Sequence, residues 1–100
     1  MKKHLDIQTL NEGFEIAFIE AICDRLEKLK ISNRQFGIAI FGEDSGPRIW
    51  LRTRAPNPGE KRRNLTLEEA GRIATYFETE LPDLILRIYK ERQLTLEDKI

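Results

Sequence analysis

Phe14, Phe18, Ile22, Leu26 and Leu29 follow one another at steps of four, four, four and three. That is the period of one helix face, because side chains three and four residues apart stack on the same side of an α-helix. Ile19 and Cys23 widen the stripe, so a helix over roughly residues 12–30 is expected to be the most buried element. Its start can be capped by the box Thr9-Leu10-Asn11-Glu12 or by Asn11 alone. Such a stripe needs other apolar faces to cover it. The rest of the chain repeats the helical period, and the alternating runs that mark strands are scarce.

The later helices are bounded by punctuation. Ser32-Asn33-Arg34-Gln35 is a capping box, in which hydroxyl and carboxamide satisfy two orphan amides reciprocally. It predicts a helix from Asn33 to about Phe41, stopped at Gly42, with Phe36 and Ile40 on one face and Gly37 open to close approach by another backbone. Ser45 or Gly46 can cap a third helix, with Pro47 in its first turn, and Pro56 ends it near Arg54. A turn-rich, basic loop over 56–64 precedes Thr66-Leu67-Glu68-Glu69, a second capping box, with Leu65 and Ala70 placed as a hydrophobic staple. Ala70, Ile73, Ala74 and Phe77 form the stripe of this fourth helix. Pro82 restarts a fifth, which has Leu81, Leu84, Ile85 and Ile88 inward and reaches towards Leu94. The expectation is an all-α domain over 12–94, with an N-terminal arm at 1–11 and a frayed tail at 95–100.

The composition agrees. Hydrophobic residues at 40% and charged residues at 34% fit a folded soluble domain. No apolar run approaches the ~18 residues of a membrane span. The basic start MKKHLDIQTLN lacks the apolar segment of a secretory signal, and Cys23 is alone, so a reducing cytoplasm is expected. Formal net charge is zero, but its distribution is uneven. Residues 45–65 hold Arg48, Arg52, Arg54, Lys61, Arg62 and Arg63 against Glu60, a local balance of +5, and the remainder carries −5. A concentrated cationic segment is the footprint expected for a polyanion, or else a solvated loop.

Read in order, Ile19, Ile22, Leu26, Leu29, Ile31-Ser32, Gln35-Phe36-Gly37, Gly42, Ile49, Pro56 and the stretch Thr66 to Leu84 make a pattern. It resembles the lambda-repressor-like helix-turn-helix domains of the phage Cro and repressor type, over about residues 14–90. The resemblance implies a five-helix fold with a second helix across the DNA backbone and a third, about 46–54, in the major groove. It further implies Gly37 at the crossing of helices 2 and 3, and Ile49 as the inward anchor of helix 3. The chain departs from the pattern twice. Gly37 and Ile49 are twelve residues apart, about two more than is usual, and Arg52 stands where an aromatic is frequent.

On that footing, Arg48, Arg52 and Thr53 are the candidates for base contact. Guanidinium groups suit guanine O6 and N7, and the alternatives are phosphate contact or solvation. Arg34, Gln35, Arg54, Lys61, Arg62 and Arg63 are candidates for phosphate, and Thr66 opens an amide-rich helix start that favours anions. With Ile49 inward, Arg48 and Trp50 flank the buried side, with Leu51 and Arg54 further round. Trp50 is expected to pack rather than stack on a base.

One histidine (His4, in the expected arm) and one cysteine cannot build a zinc site or a Cys-His nucleophile. Glu43-Asp44 and Glu68-Glu69 are explained by turn and cap formation. No enzyme and no cofactor is expected. The expected function is a repressor-type, sequence-specific transcription regulator on double-stranded DNA. A homodimer through Leu84, Leu86, Ile88, Tyr89 and Leu94 of the last helix would suit paired half-sites. The alternative is an antitoxin or phage accessory module that uses the same fold for a protein partner.

Overall fold

The computed structural model describes the backbone of residues 7–92 and the side chains of residues 13–92. Among these residues there are five helices and no strand: α1 (Ile7–Leu29), α2 (Asn33–Phe41), α3 (Gly46–Arg54), α4 (Leu67–Tyr76) and α5 (Leu81–Arg92). The architecture is all-α, as expected. His4, Leu94 and the tail 95–100 lie outside the described residues.

α1 supplies Ala17, Phe18, Ile19, Ala21, Ile22 and Leu26 to the buried core, more than any other helix. It differs from expectation at both ends. It begins at Ile7, so Thr9 and Asn11 lie within the helix rather than capping it, and residues 7–11 belong to α1 rather than to an arm. At the other end Leu29 is exposed and the stripe closes at Leu26. The Ile31 N–H returns to Leu26 O at 2.9 Å and the Lys30 N–H to Glu27 O at 3.2 Å, a Schellman closure with Lys30 at φ 60°. α4 ends the same way, with Thr79 N–H on Ala74 O, Glu78 N–H on Thr75 O, and Glu78 at φ 59°.

The capping boxes expected at Ser32 and Thr66 form in full. Ser32 Oγ accepts from Gln35 N and Gln35 Oε1 from Ser32 N, and Thr66 and Glu69 reciprocate identically. Ser45 precedes α3 but makes no side-chain cap bond. Instead Gly46 N–H bonds Gly42 O at 2.9 Å and Ile49 N–H bonds Ser45 O, so the turn winds directly into the helix.

α2 packs on α3 and α4, α4 packs on α5, and α5 returns to α1. Phe36 sits at the centre, fully buried, with Trp50, Tyr76 and Phe77 at ring-centroid distances of 4.8, 5.2 and 6.1 Å. Ile73, Ala74, Leu84 and Ile88 are buried; Leu65, Ala70, Phe77, Leu81 and Ile85 pack half-buried against them.

α2 and α3 meet glycine on glycine. A methyl group on Gly37 would lie 2.8 Å from Gly46 O and 2.9 Å from Pro47 Cα; one on Gly46 would overlap Gly37 O. Backbone cannot yield as a flexible side chain can. Gly37→Ala is therefore expected to lower unfolding free energy by roughly 1–3 kcal/mol, the usual cost of overpacking. Gly71 in α4 has nothing within 4 Å of the added carbon, so Gly71→Ala should raise stability by up to about 1 kcal/mol through helix propensity. Urea denaturation of both variants checks the opposite signs.

Candidate functional site

α3 is too short to hold itself, since isolated helices below ~12 residues are marginal. Its inward face is Gly46, Trp50 and Thr53, spaced by four and three. Trp50 is fully buried on Phe36 and Phe41, and its Nε1–H donates to Asn33 Oδ1 at 2.9 Å. This corrects the expected anchor: Ile49 is half-buried and its neighbour Trp50 takes the central position. One residue along a helix is a rotation of about 100°, so the outward face changes with it.

Thr53 leaves the set of base-contact candidates. It is fully buried, and its hydroxyl donates to Ile49 O at 2.8 Å and accepts from Arg63 Nη1 at 3.5 Å. Arg48 and Arg52 remain exposed, and Leu51 is exposed with them at 43%. Among the described residues neither arginine is paired with a carboxylate. Arg54 is half-buried, and its Nε has no hydrogen-bond partner among the described residues.

The loop after α3 opens with a tight turn. Glu60 N–H bonds Asn57 O at 2.9 Å across Pro58 and Gly59, and Gly59 has φ 86°, a conformation suited to glycine. Lys61 is exposed, but the next two cations are bound into the fold. Arg62 reaches Glu15 of α1 at 3.3 Å, and the same carboxylate accepts from Asn64 Nδ2 at 2.9 Å and Leu65 N at 2.6 Å. Arg63 grips Glu69 with two bonds of 3.0 and 2.7 Å, and its guanidinium carbon lies 5.4 Å from the Phe41 ring centroid. Its own N–H bonds Arg52 O at 3.1 Å. The structure thus places Arg62 and Arg63, expected as phosphate contacts, half-buried in bonds that fasten the loop to α1, α3 and α4. Charge clustering in sequence did not reveal this, because Glu15 lies about fifty positions away. The amide-rich start of α4 is likewise occupied by the chain's own Glu69, which accepts the Thr66 N–H at 3.0 Å.

Arg34 and Gln35, at the start of α2, are exposed, although the Gln35 carbonyl is committed to the cap. The exposed cations of the expected site therefore reduce to Arg34, Arg48, Arg52 and Lys61. Glu43 and Asp44 stand exposed in the turn before α3. Cys23 is half-buried; burial pushes its thiol pKa up, against a smaller downward pull from Arg54. Among the described residues, no group of three metal-ligating side chains exists and no helix is long and apolar enough to cross a membrane. Of the apolar residues expected to build a dimer face, Leu84 and Ile88 are buried, while Leu86 and Tyr89 are exposed. No family model, curated protein or solved structure matches this chain.

The two clamps are acid-sensitive. Bonds from Arg63 hold the Glu69 carboxyl below the ordinary carboxylate value. Burial pushes Glu15 up, but bonds from Arg62, Leu65 N–H and Asn64 outweigh it and leave its pKa lowered too. A carboxyl with a lowered folded-state pKa stabilises the fold above its unfolded value, and the benefit is lost as pH falls through the folded one. Stability should therefore decline below about pH 4.3, the ordinary glutamate value. Glu69→Gln can still cap α4, so it isolates the ion pair. It should cost roughly 1.5–3 kcal/mol at pH 7, the range for bonds to charged groups. Urea midpoints at pH 7 and pH 3.5 should then differ less for the variant than for the parent chain.

Proposed function

We propose that this chain is a lambda-repressor-like helix-turn-helix protein that binds duplex DNA sequence-specifically, with α3 in the major groove, and acts as a repressor-type regulator by occupying an operator. The observation that carries the reading is the α2–α3 pair. Two helices of nine residues cross at Gly37 and Gly46, and α3 turns Arg48 and Arg52 outward without carboxylate partners among the described residues. An α-helix fits the major groove, where guanidinium forks match guanine O6 and N7. Arg34 at the α2 start and Lys61 beyond α3 supply exposed charge for the flanking phosphates.

A second reading keeps the same fold as an antitoxin or phage accessory module with a protein partner. It is favoured by the capture of Arg62 and Arg63 inside the fold and by the exposed Leu86 and Tyr89 of α5. Reversing charge at Arg48 and Arg52 separates the two, because both side chains are exposed and the fold should survive. Duplex binding collapses under the first reading, and a stoichiometric protein complex persists under the second.

Binding to a random duplex pool, followed by titration of a selected site, is the direct test. Arg48→Ala or Arg52→Ala should weaken the selected site by roughly 5- to 150-fold, corresponding to the 1–3 kcal/mol of a good base contact. Arg34→Ala and Lys61→Ala should weaken all duplexes alike, each flattening the logarithmic salt dependence by about one. Absence of any salt-dependent duplex binding at ~50 mM salt, where phosphate contacts are strong, would sink the proposal.

A further inference from the structure

Leu51 has no counterpart among the residues that hold α3 in place. Gly46, Trp50 and Thr53 fill the inward face, and Leu51 is left 43% exposed beside Arg48, one turn on, with Arg52 on the other side of Arg48. The helix GPRIWLRTR contains no acidic residue. An apolar side chain of this size, sharing the outer face of a short helix with two cations, suits a surface that is anionic and locally apolar.

We infer that Leu51 is a specificity-determining residue, which packs on the C5 methyl group of a thymine one base step from a guanine read by Arg48 or Arg52. The inference rests on the proposed duplex binding and adds the kind of base pair that α3 selects. In the major groove thymine alone presents a methyl group, and it lies beside the acceptor atoms of neighbouring base pairs. The spacing agrees. Arg48 and Arg52 stand about 6 Å apart along the helix axis, and Leu51 lies between them at 1.5 Å per residue. Bases on one strand are about 3.4 Å apart, so two arginine contacts and a leucine contact fall within two or three consecutive pairs. An acidic protein partner would also meet the charge. The two unpaired guanidinium groups, with Arg34 and Lys61 exposed as well, favour a polyanion.

The test replaces each thymine of a duplex selected from a random pool by deoxyuridine, which removes the methyl group alone. At one position the parent chain should lose roughly 3- to 5-fold in affinity, the value of one buried methyl group. Leu51→Ala should bind the thymine duplex more weakly by a similar or larger factor and show no deoxyuridine penalty there. Leu51→Met, which keeps apolar bulk, should retain it. Both variants should melt near the parent temperature, since the side chain is exposed, and both should keep the parent salt dependence. If Leu51→Ala keeps the full deoxyuridine penalty, or no thymine matters, the inference is wrong while duplex binding stands. If no duplex is bound, both fail. If Leu51→Ala leaves duplex binding intact and releases a co-purifying protein, the face serves that partner and the inference is overturned.

Discussion

The geometry of the proposed site depends on the approach of Gly37 to Gly46, two residues without side chains. Helix axes come this close only where no Cβ intervenes, and here each glycine meets the other's backbone. The approach sets α3 against α2 with Trp50 over Phe36 and the indole N–H on Asn33. A buried indole needs that partner, because an unpaired donor in the core costs about 1–3 kcal/mol. The crossing and the tryptophan together fix the rotation of α3, and that rotation decides which side chains can face a ligand.

Charge in this chain serves two separate ends. The six cations clustered over 45–65 look like one patch in sequence, yet the fold divides them. Arg62 and Arg63 join α1, α3 and α4 through Glu15 and Glu69. Arg48, Arg52 and Lys61 are left to solvent, and Arg54 is half-buried. A helix of only nine residues gains from such fastening, since Arg63 holds Arg52 O, Thr53 Oγ1 and Glu69 at once. Long-range attraction for a polyanion must then come from fewer charges, and the exposed Glu43 and Asp44 oppose them. Under the proposed duplex binding, such a surface would rely more on what α3 touches than on bulk phosphate attraction.

Helix order and most helix ends were legible in the sequence because local chemistry sets them. Ser32 with Gln35, Thr66 with Glu69, Gly42 after α2 and Pro56 after α3 each act within a few residues. The Schellman closures at Lys30 and Glu78 were not legible. Both use non-glycine residues at positive φ, held by bonds back into the helix rather than by residue type. The candidate site was legible only in part. The exposure of Arg48 and Arg52 followed from their charge. The pairing of Arg62 with Glu15 joins residues distant in the chain, and the pairing of Arg63 with Glu69 and the burial of Thr53 depend on how the loop folds back on α3, which periodicity and local charge do not report.

The turn between α2 and α3 explains why the anchor position moved by one residue. That turn is not an open loop: the Gly46 N–H reaches back to Gly42 O, and Ser45 O already receives the Ile49 N–H. The turn residues are wound into the entry of α3, so Gly46 arrives opposite Gly37 already within the helix. From Gly46, the positions on the same face are four and seven residues on, namely Trp50 and Thr53. Ile49 lies about 100° away from Trp50 around the axis. The anchor expected at Ile49 therefore lies one residue short of the one the structure uses. Assignments that start from an unpaired charge do not shift with it, which is why Arg48 and Arg52 stay in the proposed site and Thr53 does not.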